Sequence, residues 1–134
     1  MYKICVFAGT TEGRELVEFL SSQPVDVTAC VATEYGKTLL SAADNLTVSA
    51  KRLPVAEITK MLSATPFDLV IDATHPYAAS ITQSISAACH ATETEYLRLL
   101  REASTISSDV VYVPDTESAV KFLNDTEGNI LLTT

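Results

Sequence analysis

Two short loops concentrate the residues of this chain that could do chemistry: Ala8-Gly9-Thr10-Thr11-Glu12-Gly13-Arg14 and Asp72-Ala73-Thr74-His75-Pro76-Tyr77. Each follows an apolar, strand-like run and each opens a helix-like pattern. In an open parallel sheet the carboxyl ends of the strands share one edge, so the two loops are expected side by side, framing a crevice of the kind that binds nucleotides and substrates.

In the first loop, Ala8, Gly9 and Thr10 are small enough for backbone to approach a phosphate, while the N–H groups of the following helix point at it. Gly9 and Gly13 are the key positions, with Thr10, Thr11, Glu12 and Arg14 completing a candidate cofactor-binding loop. The register is not Gly-x-Gly-x-x-Gly, and a strand-to-helix turn also needs small residues for packing alone. Cofactor choice is read at the end of the second strand, Val31-Ala32-Thr33, where the acid that usually holds the ribose 2′-OH of NAD does not stand at the tip, although Glu34 follows. Thr33 stands there instead, with Lys37 nearby and Lys51-Arg52 at the next strand end, and this positive charge favours a 2′-phosphate and hence NADP(H).

The second loop brings a carboxylate, a hydroxyl, an imidazole and a phenol to one strand end. Pro76 is expected to start a helix whose free N–H groups attract anions. His75 is the best placed group for proton transfer, since an imidazole exchanges protons near neutrality. The structural alternative is that Asp72 merely caps the helix and Tyr77 belongs to the core.

The elements that must position these loops are legible. Short runs rich in Val, Ile, Leu and Tyr at Ile4–Ala8, Val25–Val31, Leu46–Ser49, Leu69–Ala73, Tyr96–Leu99, Val110–Val113 and Ile130–Leu132 predict buried strands. Between them lie helical faces: Leu16, Val17, Phe19 and Leu20; Ala56, Ile58, Met61 and Leu62; Ile81, Ile85, Ala88 and Cys89. This alternation predicts an α/β fold with a doubly wound, mostly parallel sheet. Gln23-Pro24 ends the first helix, Pro54 and Pro76 each occupy a first helical turn, and Asp115 or Thr116 caps a last helix that Gly128-Asn129 ends. The Ser-rich stretch Glu102–Asp109 reads as a loop.

At 134 residues and 47% hydrophobic content the chain fits one domain with a packed core, 1–134. No window approaches the ~20 apolar residues of a membrane span, and Met1-Tyr2-Lys3-Ile4 enters a strand without a charged-then-apolar leader, which predicts the cytoplasm and no membrane partner. The three cysteines, Cys5, Cys30 and Cys89, lie among apolar or small residues and read as buried thiols. With two histidines, His75 and His90, no protein-built metal site is expected. A net charge of -8 argues against nucleic acid. Most of the nine basic residues nevertheless fall just past predicted strand ends, namely Arg14, Lys37, Lys51, Arg52, Arg98 and Arg101, where an anionic ligand could be held.

Taken together, Phe7-Ala8-Gly9-Thr10-Thr11-Glu12-Gly13-Arg14-Glu15-Leu16, Val31-Ala32-Thr33-Glu34-Tyr35-Gly36, Val70-Ile71-Asp72-Ala73-Thr74-His75-Pro76-Tyr77-Ala78 and Tyr96-Leu97-Arg98-Leu99 resemble the precorrin-6A reductase family, including its cobalt-precorrin-6A members. The resemblance implies two Rossmann-like domains with NADPH and a tetrapyrrole between them, and hydride delivery to one double bond of the macrocycle in corrin biosynthesis. It implies Gly9, Thr10, Thr11, Glu12, Gly13, Arg14, Thr33, Lys51 and Arg52 for the cofactor, and Asp72, Thr74, His75, Tyr77 and Arg98 for the substrate. His75 or Tyr77 is the candidate proton relay, the alternative donors being water or a group of the second domain. The family commonly carries Gly-Gly-Thr where Ala8-Gly9-Thr10 stands, and Gly-Arg-Leu-Asp where Lys51-Arg52-Leu53-Pro54 stands.

Members continue past Leu-Leu-Thr-Thr, so the chain is expected to be the N-terminal half of a two-domain enzyme, inactive alone. An unpaired terminal strand Ile130–Leu132 would then favour strand exchange between copies. The competing readings are another NADP-dependent reductase or epimerase, and a non-catalytic nucleotide sensor. The first should show Tyr-x-x-x-Lys, and neither Tyr77 nor Tyr96 has Lys four residues on. The second has no need of the Asp72–Tyr77 loop.

Overall fold

The first strand, β1 (Tyr2–Ala8), becomes the centre of the sheet because its residues alternate between two buried faces, with Ile4, Val6 and Ala8 on one and Cys5 and Phe7 on the other. A computed structural model describes residues 1–102 and 108–132. Through residue 102 the chain runs β1, α1 (Thr11–Ser21), β2 (Val25–Val31), α2 (Glu34–Thr38), β3 (Leu46–Ala50), α3 (Val55–Ala64), β4 (Leu69–Ala73), α4 (Ala79–Ala91) and β5 (Tyr96–Arg98). The five strands pair in the order β3-β2-β1-β4-β5, every pair parallel.

That order fixes where a site can form. The chain steps outward from β1 to β2 to β3, then α3 returns it to β4 on the other side of β1. Strand order therefore reverses between β1 and β4, the position at which open α/β sheets leave a crevice beyond their carboxyl ends. On one face Val17 and Leu20 of α1 close over Ile4, Val6, Val27, Ala29 and Ile71. On the other, Ile58 and Leu62 of α3 and Ile85, Ala88 and Cys89 of α4 close over Cys5, Phe7, Cys30 and Val70. All three cysteines are buried thiols, as their apolar surroundings predict. Burial pushes the Cys89 thiol up to about 11, with the Asp72 carboxylate adding to the shift.

Several expectations are corrected. Phe19 is 60% exposed and Ala56 is also exposed, so the apolar faces of α1 and α3 are narrower than their composition suggested. Pro76 does not start a helix: it lies in a turn closed by the Ala78 N–H donating to the His75 carbonyl at 2.9 Å, and α4 begins at Ala79. Proline suits the second position of such a turn because its φ is already set. The short helix α2 was not foreseen.

The described residues after 102 form a second, small unit carrying α5 (Thr116–Asn124), whose N-cap Asp115 accepts from the Ser118 N–H at 2.7 Å. This helix ends at Asn124 rather than at Gly128-Asn129. The runs Val110–Val113 and Ile130–Leu132 are not strands: their side chains are exposed and neither run has a ladder partner among the described residues, without which an extended apolar segment gains nothing from its pattern. Of the loop expected over Glu102–Asp109, residues 103–107 lie outside the described residues.

Candidate functional site

The loop after β1 is tied to the loop after β4 by one hydroxyl. Thr10 is the N-cap of α1, its Oγ1 accepting from the Gly13 N–H at 3.1 Å, and the same Oγ1 donates to the Ala73 carbonyl at 3.0 Å. A threonine at an N-cap satisfies one of the helix's orphan donors. The second bond fastens the helix start to the end of β4.

The two glycines of the loop have different reasons to be there. A Cβ on Gly13 would lie 3.0 Å from Ala73 Cβ and 3.3 Å from both the Ala73 oxygen and Ala8 Cα, so Gly13 lets α1 lie close on the sheet. A Cβ on Gly9 would meet only Thr74 Cα, at 3.8 Å, an ordinary contact. Packing accounts for Gly13 and leaves Gly9 unexplained by the protein itself.

Glu12, in the first turn of α1, is held by Arg101, whose Nε donates to Oε1 at 2.8 Å and Nη2 to Oε2 at 3.3 Å. The guanidinium, aided by the helix backbone, holds the Glu12 carboxyl down at about 2. At the end of β2 the Thr33 hydroxyl accepts from the Gly36 N–H at 3.0 Å and caps α2.

Beyond β4, Asp72 is completely buried, and its carboxylate is fully engaged. Oδ1 accepts from the Thr74 N–H at 3.0 Å, the Thr74 hydroxyl at 2.7 Å and Arg98 Nη1 at 2.8 Å, while Oδ2 accepts from the Tyr96 hydroxyl at 3.1 Å. Burial and the adjoining Asp72 carboxylate push the Tyr96 phenol up to about 12, which keeps it a donor. His75 is exposed, and its Nδ1 accepts from the Tyr77 N–H at 3.1 Å, which puts the proton of the neutral ring on Nε2. Tyr77 is 91% exposed, its ring centroid 5.2 Å from that of His75.

Two clefts open over this edge. The first, of about 530 Å³, is bordered by Gly9, Thr10, Thr11, Arg14, Thr33 and His75. The second, of about 540 Å³, is bordered by Gly9, Lys51, Arg52, Thr74 and His75. They share Ala8, Gly9, Val31, Ala32 and His75, so the two loops do frame a common crevice.

Glu12, Gly13, Asp72, Tyr77 and Arg98 line neither cleft: Gly13 is packed, Asp72 and Arg98 are bonded to each other, Glu12 is paired, and Tyr77 stands in solvent. Among the described residues Arg14, Lys51 and Arg52 border the clefts and form no ion pair, whereas Arg101, which also borders the first cleft, is paired with Glu12. Sequence reasoning missed Tyr35, Leu39 and Leu40 in the first cleft and Ser80 and Ser84 in the second. The Thr33-x-x-Gly36 spacing, a cap followed by a small residue, was the available sign of α2.

A parallel sheet with a glycine turn and a helix start at its point of reversal defines a Rossmann-like α/β protein. A family model, precorrin-6x reductase CbiJ/CobK, matches residues 3–134, and the chain belongs to that family. A cobalt-precorrin-6A reductase of Synechocystis sp. is 29% identical over 118 residues, covering 88% of this chain and 45% of that protein. One from Methanothermobacter thermautotrophicus is 33% identical over 99 residues, 73% of this chain and 33% of that protein. A solved structure described as CobK precorrin-6A reductase superposes with a TM-score of 0.74 at 29% identity, covering 90% of this chain and 48% of that one. The chain thus spans half or less of the length of these relatives.

Among the described residues no helix is long and apolar enough to cross a membrane.

Proposed function

We propose that this chain forms the NADPH-binding wall of a reductase that converts precorrin-6A, or its cobalt form, to precorrin-6B in corrin ring biosynthesis. Family membership supports the reaction, and Gly9 is the observation that carries the site: both clefts meet on it, and no protein atom requires it to be glycine. A bare backbone at a strand end beside the start of α1 suits a pyrophosphate. Arg14 borders the first cleft, and Lys51 and Arg52 the second. These three would hold the phosphates, the 2′-phosphate among them, with Thr10 and Thr11 lining their approach and Thr33 at the ribose.

When bound, NADPH supplies the hydride; the protein's task is to orient two ligands and handle one proton. His75 Nε2 is the proton-bearing atom at the crevice, and the Tyr77 N–H holds the ring in that tautomer. Thr74 would meet the substrate from the second cleft, while Asp72 and Arg98 act from beneath. The opposite wall is supplied, on this reading, by chain equivalent to the rest of the relatives' length, so that the 134 residues alone do not turn over.

Titration of NADPH and NADH against the protein tests the cofactor, with tighter binding of NADPH expected and equal affinity counting against a 2′-phosphate site. Consumption of NADPH with precorrin-6A should need the second wall joined in cis. Turnover by the 134-residue chain alone would overturn the two-walled site.

A further inference from the structure

Tyr96 and Arg98 stand two residues apart on β5, on the same side of the strand, and in register with Val70 and Asp72 of β4. Both reach the one buried carboxylate of the sheet. Arg98 Nη1 donates to Asp72 Oδ1 at 2.8 Å and to the Asp72 carbonyl at 3.0 Å, and lies 3.3 Å from the Thr74 hydroxyl. Its Nη2 makes a longer contact, 3.5 Å, to the His75 carbonyl. The Thr74 hydroxyl in turn meets that of Thr82 on α4 at 3.2 Å. The backbone on both sides of the Thr74–His75 peptide is thus held by groups that converge on Asp72.

A carboxylate with two oxygens can pivot, and what it holds pivots with it. One oxygen of Asp72 serves the loop and the arginine; the other is occupied by the Tyr96 hydroxyl alone among the described residues. We propose that Tyr96 is a positioning residue of the crevice: its hydroxyl fixes the plane of the Asp72 carboxylate, and through Thr74 and Arg98 that plane sets where His75 stands between the two clefts. Asp72 and Arg98 belong to the same device and act on a ligand through His75 and Thr74. The consequence for cofactor binding rests on the function proposed above; the consequence for the loop does not.

Tyr96→Phe removes one oxygen and little volume, so it separates positioning from packing. Amide hydrogen exchange should accelerate at least tenfold at Thr74 and Tyr77, while amides of the central strand and of α4, such as Val6 and Ile85, keep their wild-type protection. The His75 imidazole resonances should shift, and Thr74→Val should reproduce both effects with Tyr96 intact. Unchanged exchange at Thr74 and Tyr77 in Tyr96→Phe overturns the proposal, as does a uniform loss of protection, which would make Tyr96 a stability residue only. NADPH is titrated in parallel. A wild type that does not bind it counts against the proposed function and leaves the exchange result to decide this inference, whereas weaker binding by Tyr96→Phe at unchanged exchange also overturns it.

Discussion

The Thr10 hydroxyl donates to the Ala73 carbonyl at 3.0 Å across 63 residues of sequence while accepting from the Gly13 N–H at 3.1 Å. One side chain therefore caps α1 and fastens it to the end of β4, joining the starts of the two loops. Thr10→Val keeps the shape and removes both bonds. A lost N-cap and a buried carbonyl left without its donor should together lower stability by about 1–3 kcal/mol, read from urea unfolding. Thr10→Ser should recover most of the loss.

Gly9 and Gly13 should respond differently to the same change. Gly13→Ala drives a methyl to 3.0 Å from Ala73 Cβ, and overpacking of this kind costs about 1–3 kcal/mol. Gly9→Ala meets only an ordinary contact and should unfold at nearly the wild-type urea concentration. Gly9→Val should also fold, yet weaken NADPH by at least ~1.4 kcal/mol, a factor of ten. Unchanged NADPH affinity in that variant would remove the loop from the site.

Acid should loosen the Glu12–Arg101 pair within a definite window. Glu12 titrates near 4.5 when unfolded and at about 2 when folded, because the paired guanidinium favours the charged form. A depressed carboxylate adds stability that is complete above the unfolded value and is lost as pH falls from 4.5 toward 2. Glu12→Gln should flatten the unfolding curve over that interval. Since both side chains are partly in solvent, added salt should shrink the difference between the two proteins.

The strands of the sheet were legible because each is a short run rich in Val, Ile, Leu, Ala or Tyr, the central ones buried on both faces, and the loops because small and polar residues follow those runs directly. What the pattern could not give was the use of each polar group. Asp72 and Arg98 have the composition of a ligand site, yet their register on neighbouring strands spends them on each other. Arg101 is likewise spent on Glu12, a partner 89 residues away that no local pattern announces. Gly9 and Gly13 look alike in sequence and differ only in what lies opposite. The runs at 110–113 and 130–132 have the composition of strands without the neighbours that make one.

The buried pair supplies the last prediction. Asp72 is fully buried and the Arg98 side chain is 17% exposed, so the carboxylate has been taken out of water on the strength of its partners. Removing one member leaves the other charge uncompensated, at a cost of about 3–5 kcal/mol, which is a large part of the ~5–15 kcal/mol that typically holds a domain together. Arg98→Ala should therefore unfold at markedly lower urea. Combining Arg98→Met with Asp72→Asn removes both charges, keeps much of the volume and leaves an amide that can still accept from Thr74. That double variant should be clearly more stable than Arg98→Ala, because the penalty lies in the stranded charge rather than in the lost attraction. If the two unfold at the same urea concentration, the ion pair itself, and not the burial of an unpaired carboxylate, governs the stability of this strand end.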